Sequence, residues 1–81
     1  MNKKYVDIII KVSTSGKVTP MAILWDDGRK YDIDKVIDVR YSASQTGEGG
    51  IRYKCLVQGK EVFVFEEQGK KRLWFIETDQ H

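Results

Sequence analysis

An Asp-Gly pair between two runs of alternating apolar residues is the feature that most constrains the fold. Asp27-Gly28 lies between Trp25 and Tyr31, and this dipeptide favours a tight β-hairpin turn because glycine readily accepts a positive φ. Short β-rich runs followed by turn residues recur along the rest of the chain. We therefore predict an all-β protein built from consecutive hairpins.

The turn residues divide the chain into seven predicted strands, the last one short. The third and fourth could also be one strand bent at Asp34-Lys35. A long loop, residues 44–50, follows the fourth strand, and shorter turns contain Ser15-Gly16, Gly59-Lys60 and Gly69. The predicted strand bounds are 5–13, 18–25, 29–33, 36–42, 51–58, 61–66 and 72–77.

Both faces of the last hairpins are apolar. A flat sheet with one face in solvent would have apolar residues on the other face only. A turn at Gly59-Lys60 predicts Cys55 opposite Val64, and the next turn brings Phe65 near Trp74. Strands covered on both sides either close into a barrel or dock onto something else. We predict a small SH3-like antiparallel barrel or a strongly curled β-meander.

Size and composition set the broad class of the protein. The chain has 81 residues, of which 41% are hydrophobic and 32% charged, as expected for one globular domain spanning residues 1–81. We expect residues 1–4 and 78–81 to be frayed. The single cysteine, Cys55, cannot form an internal disulfide, which favours a reducing, cytoplasmic setting. No segment reaches membrane-spanning length, so we expect no membrane partner.

A family resemblance is carried by Pro20–Arg40, Ala43-Ser44, Gly49–Tyr53 and Trp74–Glu77. These motifs resemble those of a group of short cytoplasmic proteins of Gram-positive bacteria and their phage-like elements, a group without an established activity. The resemblance implies a cytoplasmic bacterial protein. It carries over no catalytic residues.

The residues that could support catalysis do not form a recognisable constellation. The one histidine, His81, is terminal, and Cys55 lies in an apolar strand where a core thiol is expected rather than a reactive thiolate. Loop hydroxyls have no adjacent base, and the carboxylates Asp32, Asp34 and Asp38 lack the spacing of a calcium loop. We predict a non-enzymatic protein without a cofactor or metal.

The strongest functional signal is a pair of arginines in the predicted hairpin centred near Thr46. Its register sets Arg40 opposite Arg52, pairs Asp38 with Lys54, and places Ile37 opposite Cys55. Like charges across a ladder destabilise it unless an anion, internal or external, lies between them. With Tyr41, Tyr31, Trp25 and Trp74 available for stacking, these are the resources of a single-strand nucleic-acid binder. We predict binding of RNA or single-stranded DNA by Arg40, Arg52, Lys54 and Tyr41.

The net charge of +2 is small for a nucleic-acid binder, and a second class of function stays open. An exposed apolar sheet face would act in protein–protein contact or homodimerisation, whereas a closed barrel would bury the same residues as core. The predicted members of this face are Leu56, Phe63, Phe65, Trp74 and Ile76.

Overall fold

The hairpin pattern produces one antiparallel sheet that curls into a half-barrel. The computed structural model describes residues 2–43, 49–69 and 71–78. The sheet order is β3-β2-β1-β7-β6-β5-β4, and the described residues form no helix. This confirms the all-β prediction. The strands are β1 (Asn2–Val12), β2 (Val18–Leu24), β3 (Lys30–Asp32), β4 (Lys35–Ala43), β5 (Gly49–Val57), β6 (Lys60–Glu67) and β7 (Leu73–Thr78).

The long first strand joins the two parts of the sheet. Residues 2–6 of β1 pair with β7, and residues 7–12 pair with β2. The outer strands β3 and β4 are consecutive in the chain and are joined by Ile33 and Asp34. The Ile33 N–H donates to the Met21 carbonyl at 2.9 Å, and the Asp34 N–H donates to the Leu56 carbonyl at 2.8 Å. This corner connects β2 to β5 across the open side of the half-barrel.

The core fills the concave face because alternate residues of each strand point inward. Cys55 and Val64 are fully buried at its centre, which confirms the core position predicted for the thiol. Each buried aliphatic side chain contributes about 1.5–3 kcal/mol, so this face supplies most of the stability. The buried cluster consists of Ile23, Ile33, Tyr53, Cys55, Val57, Val64, Trp74 and Ile76.

One bulge shifts the register of the first hairpin. A turn around Ser15 predicts Ile10 opposite Pro20 and Ile8 opposite Ala22. Ile10 does pair with Pro20, but the bulge then shifts the register so that Ile9 pairs with Ala22. The bulge removes the ladder position next to a residue that has no N–H to donate, which is the setting expected for Pro20. It also moves the rest of the ladder one step from the predicted alignment.

The β5–β6 turn lies one residue earlier than the sequence suggests. Gln58 and Gly59 both have positive φ, 52° and 76°, as a two-residue type I′ turn requires. Cys55 consequently pairs with Val62 instead of Val64. A slip of two leaves every side chain on its predicted face.

The β6–β7 alignment differs by one residue, with a larger effect. Phe65 pairs with Phe75, and Trp74 lies opposite Glu66. A one-residue slip exchanges the two faces of a strand, so Trp74 and Ile76 point into the core while Phe75 points outward. The connection at residues 68–72 is no two-residue turn, and its sequence therefore does not define the register.

The described ends of the chain lie in one ladder. The β1–β7 ladder begins with Asn2 opposite Thr78 and Lys3 opposite Glu77, so residues 2–4 and 78, which we expect to fray, are strand residues. Residues 1 and 79–81, including His81, lie outside the described residues, as do residues 44–48 of the predicted long loop. The part of the chain that is described contains no helix long and apolar enough to span a membrane.

Candidate functional site

The two arginines predicted to face each other do so. Arg40 of β4 pairs directly with Arg52 of β5, and Asp38 pairs with Lys54 in the same ladder. The expected Ile37–Cys55 pair is wrong, because a bulge between Val36 and Asp38 leaves Val36 opposite the cysteine. The bulge changes only the pairs before Asp38, so Arg40, Arg52 and Lys54 lie together on the convex face in the predicted register.

Asp38 supplies a counter-charge for this pair from within the protein. Its Oδ2 accepts a hydrogen bond from Arg40 Nε at 2.8 Å. That bond is the main reason why the pKa of the Asp38 carboxyl lies below its ordinary value, and the charge of Arg52 acts in the same direction. Part of the repulsion between the arginines is thus already relieved without an external anion.

Arg52 is held by an aromatic ring. Its guanidinium carbon lies 4.8 Å from the centre of the Phe63 ring, within the range of a cation–π contact. Lys54, beside it on β5, has its Nζ 3.5 Å from Glu61 Oε1. Among the described residues, no carboxylate oxygen lies within 4.0 Å of the Arg52 guanidinium, which leaves this group the most available cation of the predicted site.

Tyr41 does not join the basic group. Neighbouring residues of a strand point to opposite faces, and Tyr41 pairs with Ile51 on the concave side. Burial is the main reason why the pKa of the core residue Tyr53 is raised, and a charge on Tyr41 acts in the same direction, which agrees with this placement. Tyr41 is 84% exposed because it lies near the end of an outer strand.

A row of aromatic side chains continues from the arginines across the convex face. Phe65 and Phe75 stack with ring centres 4.8 Å apart, and Tyr5 meets the other side of Phe75 edge-on at 5.7 Å. Each member of the row is the direct ladder partner of the next. We call this set the convex row: Tyr5, Phe75, Phe65, Arg52 and Arg40.

The row is partly covered by its own charged neighbours. Lys3 Nζ lies 4.6 Å from the Phe75 ring centre and 3.4 Å from Glu67 Oε2, and the Tyr5 hydroxyl donates to the same oxygen at 3.0 Å. Phe75 is buried beneath them, whereas Tyr5 remains half exposed. The rings available for stacking on this face are therefore Tyr5 and Phe63.

The predicted apolar interaction face is divided between the two sides of the sheet. Trp74 and Ile76 belong to the concave core, because the β6–β7 register differs by one residue from the expected one. Leu56, Phe63 and Phe65 point to the convex side with the arginines. The five residues therefore do not form one surface.

The aromatic residues expected to stack with a ligand are likewise on the wrong side. Trp25 and Tyr31 pack against the core cluster, and the exposed rings of the convex face are instead Tyr5 and Phe63. The alternation of Leu73, Phe75 and Glu77 along β7 is the sequence signal that places Phe75 on the convex face. The connection before β7 does not fix the register, so this signal could not be read from the sequence alone.

A buried acid was not expected from the sequence. Glu66 is only 2% exposed, and its Oε2 lies 2.6 Å from Arg72 Nε in an ion pair without an aligned hydrogen bond. The Tyr53 hydroxyl donates to the other oxygen at a long 3.4 Å. The signal was present in the alternation, since Glu66 follows Val62 and Val64 at an inward position of β6.

An open groove of about 470 Å³ lies where β1 separates from β7. Its charged lining residues, Asp7 and Arg72, have opposite signs, and Arg72 is engaged by Glu66. The remaining lining is apolar or aromatic. This groove is therefore a less favourable site for an anionic ligand than the convex face.

Neither a metal-binding cluster among the described residues nor a known relative indicates a different functional site. In the described ranges, no three His, Cys, Asp or Glu side chains lie close enough together to hold a metal ion. In comparisons with protein-family models, with curated proteins and with solved structures, nothing matches this chain. Function is therefore inferred from the geometry of the convex face.

Proposed function

We propose that the protein is a non-catalytic binding module for single-stranded nucleic acid, RNA or DNA, in the bacterial cytoplasm. The ligand lies on the convex face and crosses the sheet from β4 through β5, β6 and β7 to β1. Arg40, Arg52 and Lys54 contact phosphates, and Phe63 and Tyr5 offer exposed rings to bases. The observation that carries the proposal is the direct Arg40–Arg52 pair, with Arg52 held over Phe63.

Two features of this face suit a flexible, charged strand. Sequence-tolerant binders combine a basic track for the backbone with aromatic rings on which bases stack. Here the cations and rings occupy neighbouring ladder positions of one sheet, so their spacing is fixed by the strands. The contact with Phe63 also orders the Arg52 side chain before binding, which reduces the entropy lost on association.

The small charge of the chain implies weak binding that depends on salt. Three phosphate contacts correspond to a slope of log K against log salt of about −2 for a single strand. Asp38 and Glu61 already engage two of the cations, so a ligand must compete with them. We expect dissociation constants in the micromolar range at low salt.

Fluorescence anisotropy with labelled oligonucleotides of about 12 nucleotides tests the proposal. The variant R40E/R52E reverses both arginines and should abolish binding. K11E/K17E makes the same change in net charge on the β1–β2 hairpin, which forms no ladder with β4 or β5, and should bind like the unmodified protein apart from a small general effect.

Two results would reject this function. One is no binding of RNA or single-stranded DNA below ~100 μM at low salt, where phosphate contacts are strongest. The other is an equal loss of binding in both double variants, which would mean that net charge, and not the arginine pair, holds the ligand. Circular dichroism of each variant confirms that the sheet is intact.

The alternative function is protein–protein contact or homodimerisation through an aromatic sheet face. The residues predicted for that face do not lie on one surface. Trp74 and Ile76 are unavailable in the core, and Phe65 is only partly exposed beside Phe75. A different part of the molecule, the outer edge of β4, is better suited to self-association.

A further inference from the structure

The fourth strand has one unpaired edge that carries exposed apolar side chains. Within the described ranges β4 pairs only with β5, so one row of its backbone N–H and C=O groups has no strand partner. Ile37, Val39 and Tyr41 are 42%, 46% and 84% exposed along it. Such an edge is a ready template for another strand.

Most proteins protect an edge of this kind with bulges or charges. β4 has both, a bulge before Asp38 and the charged pair Asp38 and Arg40. The bulge leaves the segment after it regular, however. The two charges have opposite signs and lie one on each side of Val39. Whether they repel or attract an approaching strand therefore depends on the charges of that strand.

A second copy of the same strand fits these charges. In an antiparallel pair related by a two-fold axis at Val39, Asp38 of each copy lies opposite Arg40 of the other. Opposite charges across a ladder stabilise it. Val39 then faces its own counterpart, and Tyr41 lies near Ile37 of the second copy, so the exposed apolar side chains cover one another.

Neighbouring two-fold registers are disfavoured by the same charges. An axis at Asp38 sets two carboxylates opposite each other, and an axis at Arg40 sets two guanidinium groups opposite each other. Both arrangements are destabilising. The charge pattern of β4 thus selects one register for self-pairing and opposes the adjacent ones.

We propose that two copies of this chain associate through their β4 edges, antiparallel and centred on Val39. The other outer strand, β3, has only three residues, so this interface closes a dimer instead of starting a fibre. The paired strands join both half-barrels into one continuous sheet. One strand pair buries less surface than a standard interface, so the dimer forms reversibly with concentration.

Sedimentation equilibrium with charge variants tests the register. D38R or R40D alone sets like charges across the axis and should weaken self-association at least tenfold. An equimolar mixture of D38R and R40D should associate as strongly as the unmodified protein, because each arginine then meets a carboxylate. Unmodified protein that is monomeric at ~1 mM, or a mixture as weak as its components, would overturn the proposal.

Engineered thiols provide a second test that does not depend on charge. Directly opposed strand residues have Cα atoms about 4.5–5.5 Å apart, within disulfide range, so V39C should form an oxidised dimer on a non-reducing gel. Y41C is the matched control, since its two thiols would be about 13 Å apart along the strands. Cys55 is fully buried and should not crosslink. Equal crosslinking of the two variants, or none of V39C, would contradict this register.

Discussion

Folding changes the acid–base behaviour of two neighbouring side chains of β5. Burial raises the pKa of the Cys55 thiol to about 11. Burial, and then the charge of Glu66, raises the pKa of Tyr53 to about 12. The folded protein therefore keeps both protons more tightly than the unfolded chain, whose ordinary values are 9.0 and 10.0.

This difference predicts a loss of stability in alkali. The contribution is fully present below pH 9 and is lost as the pH rises through the folded-state pKa values, because the unfolded chain releases protons first. The urea midpoint should fall steadily between pH 9 and 12. Tyr53→Phe should reduce the fall above pH 10. A midpoint that is constant over this range would contradict the assignment of both groups to the core.

The buried Glu66 gives a second prediction. Glu66→Ala should destabilise the fold by about 3 kcal/mol, because it leaves a cavity and separates Arg72 and Tyr53 from their partner. Glu66→Leu should cost less, since an apolar side chain of similar size fills the site and Arg72 can turn to solvent. Urea denaturation measures both. An equal cost for the two substitutions would show that the ion pair, and not the volume, decides the stability.

At the scale of elements, the β5–β6 turn shows a local conflict between sequence and conformation. Gln58 adopts a φ of 52°, a region that costs most L-residues about 1 kcal/mol and that Asn or Gly tolerates better. Gln58→Gly should therefore raise the free energy of unfolding by a few tenths of a kcal/mol to about 1 kcal/mol.

A glycine pair supplies the control for this turn. An added Cβ meets no atom within 4 Å at either Gly59 or Gly49, but only Gly59 has a positive φ. Gly59→Ala should cost about 1 kcal/mol, and Gly49→Ala should be close to neutral. Thermal denaturation of both variants separates backbone strain from steric contact. Equal effects at the two positions would contradict the type I′ geometry.

All seven strands could be predicted from alternation and turn residues, but their alignment only in part. The β4–β5 ladder from Asp38 to Tyr41 agrees with prediction because the apolar alternation of both strands restricts its register. The two-residue turn between β5 and β6 lies one residue from its predicted place. Bulges at Met21 and Ile37 carry no sequence signal as strong as an Asp-Gly pair. The longer connection before β7 does not fix the β6–β7 register. The observed register differs from the predicted one by one residue, so Trp74 lies on the opposite face of the sheet.

At the scale of the whole molecule, the half-barrel separates two environments. The concave side contains the apolar core with one buried acid, Glu66, paired with the half-exposed Arg72. The convex side carries rings and cations in ladder positions. The Arg40–Arg52 pair could be predicted because both residues lie within one hairpin. The convex row could not, since it joins β1 to β7 and β6, whose relative alignment depends on contacts across most of the chain.

The central claim, that the convex face binds single-stranded nucleic acid, is tested most directly by NMR. A single-stranded oligonucleotide of about 12 nucleotides is titrated into isotope-labelled protein, and the amide and arginine side-chain shifts are followed. We expect the largest changes at Arg40, Arg52, Lys54 and Phe63, and small ones around the groove at Ile8 and Arg72. Changes confined to that groove, or no changes at saturating oligonucleotide, would contradict the claim.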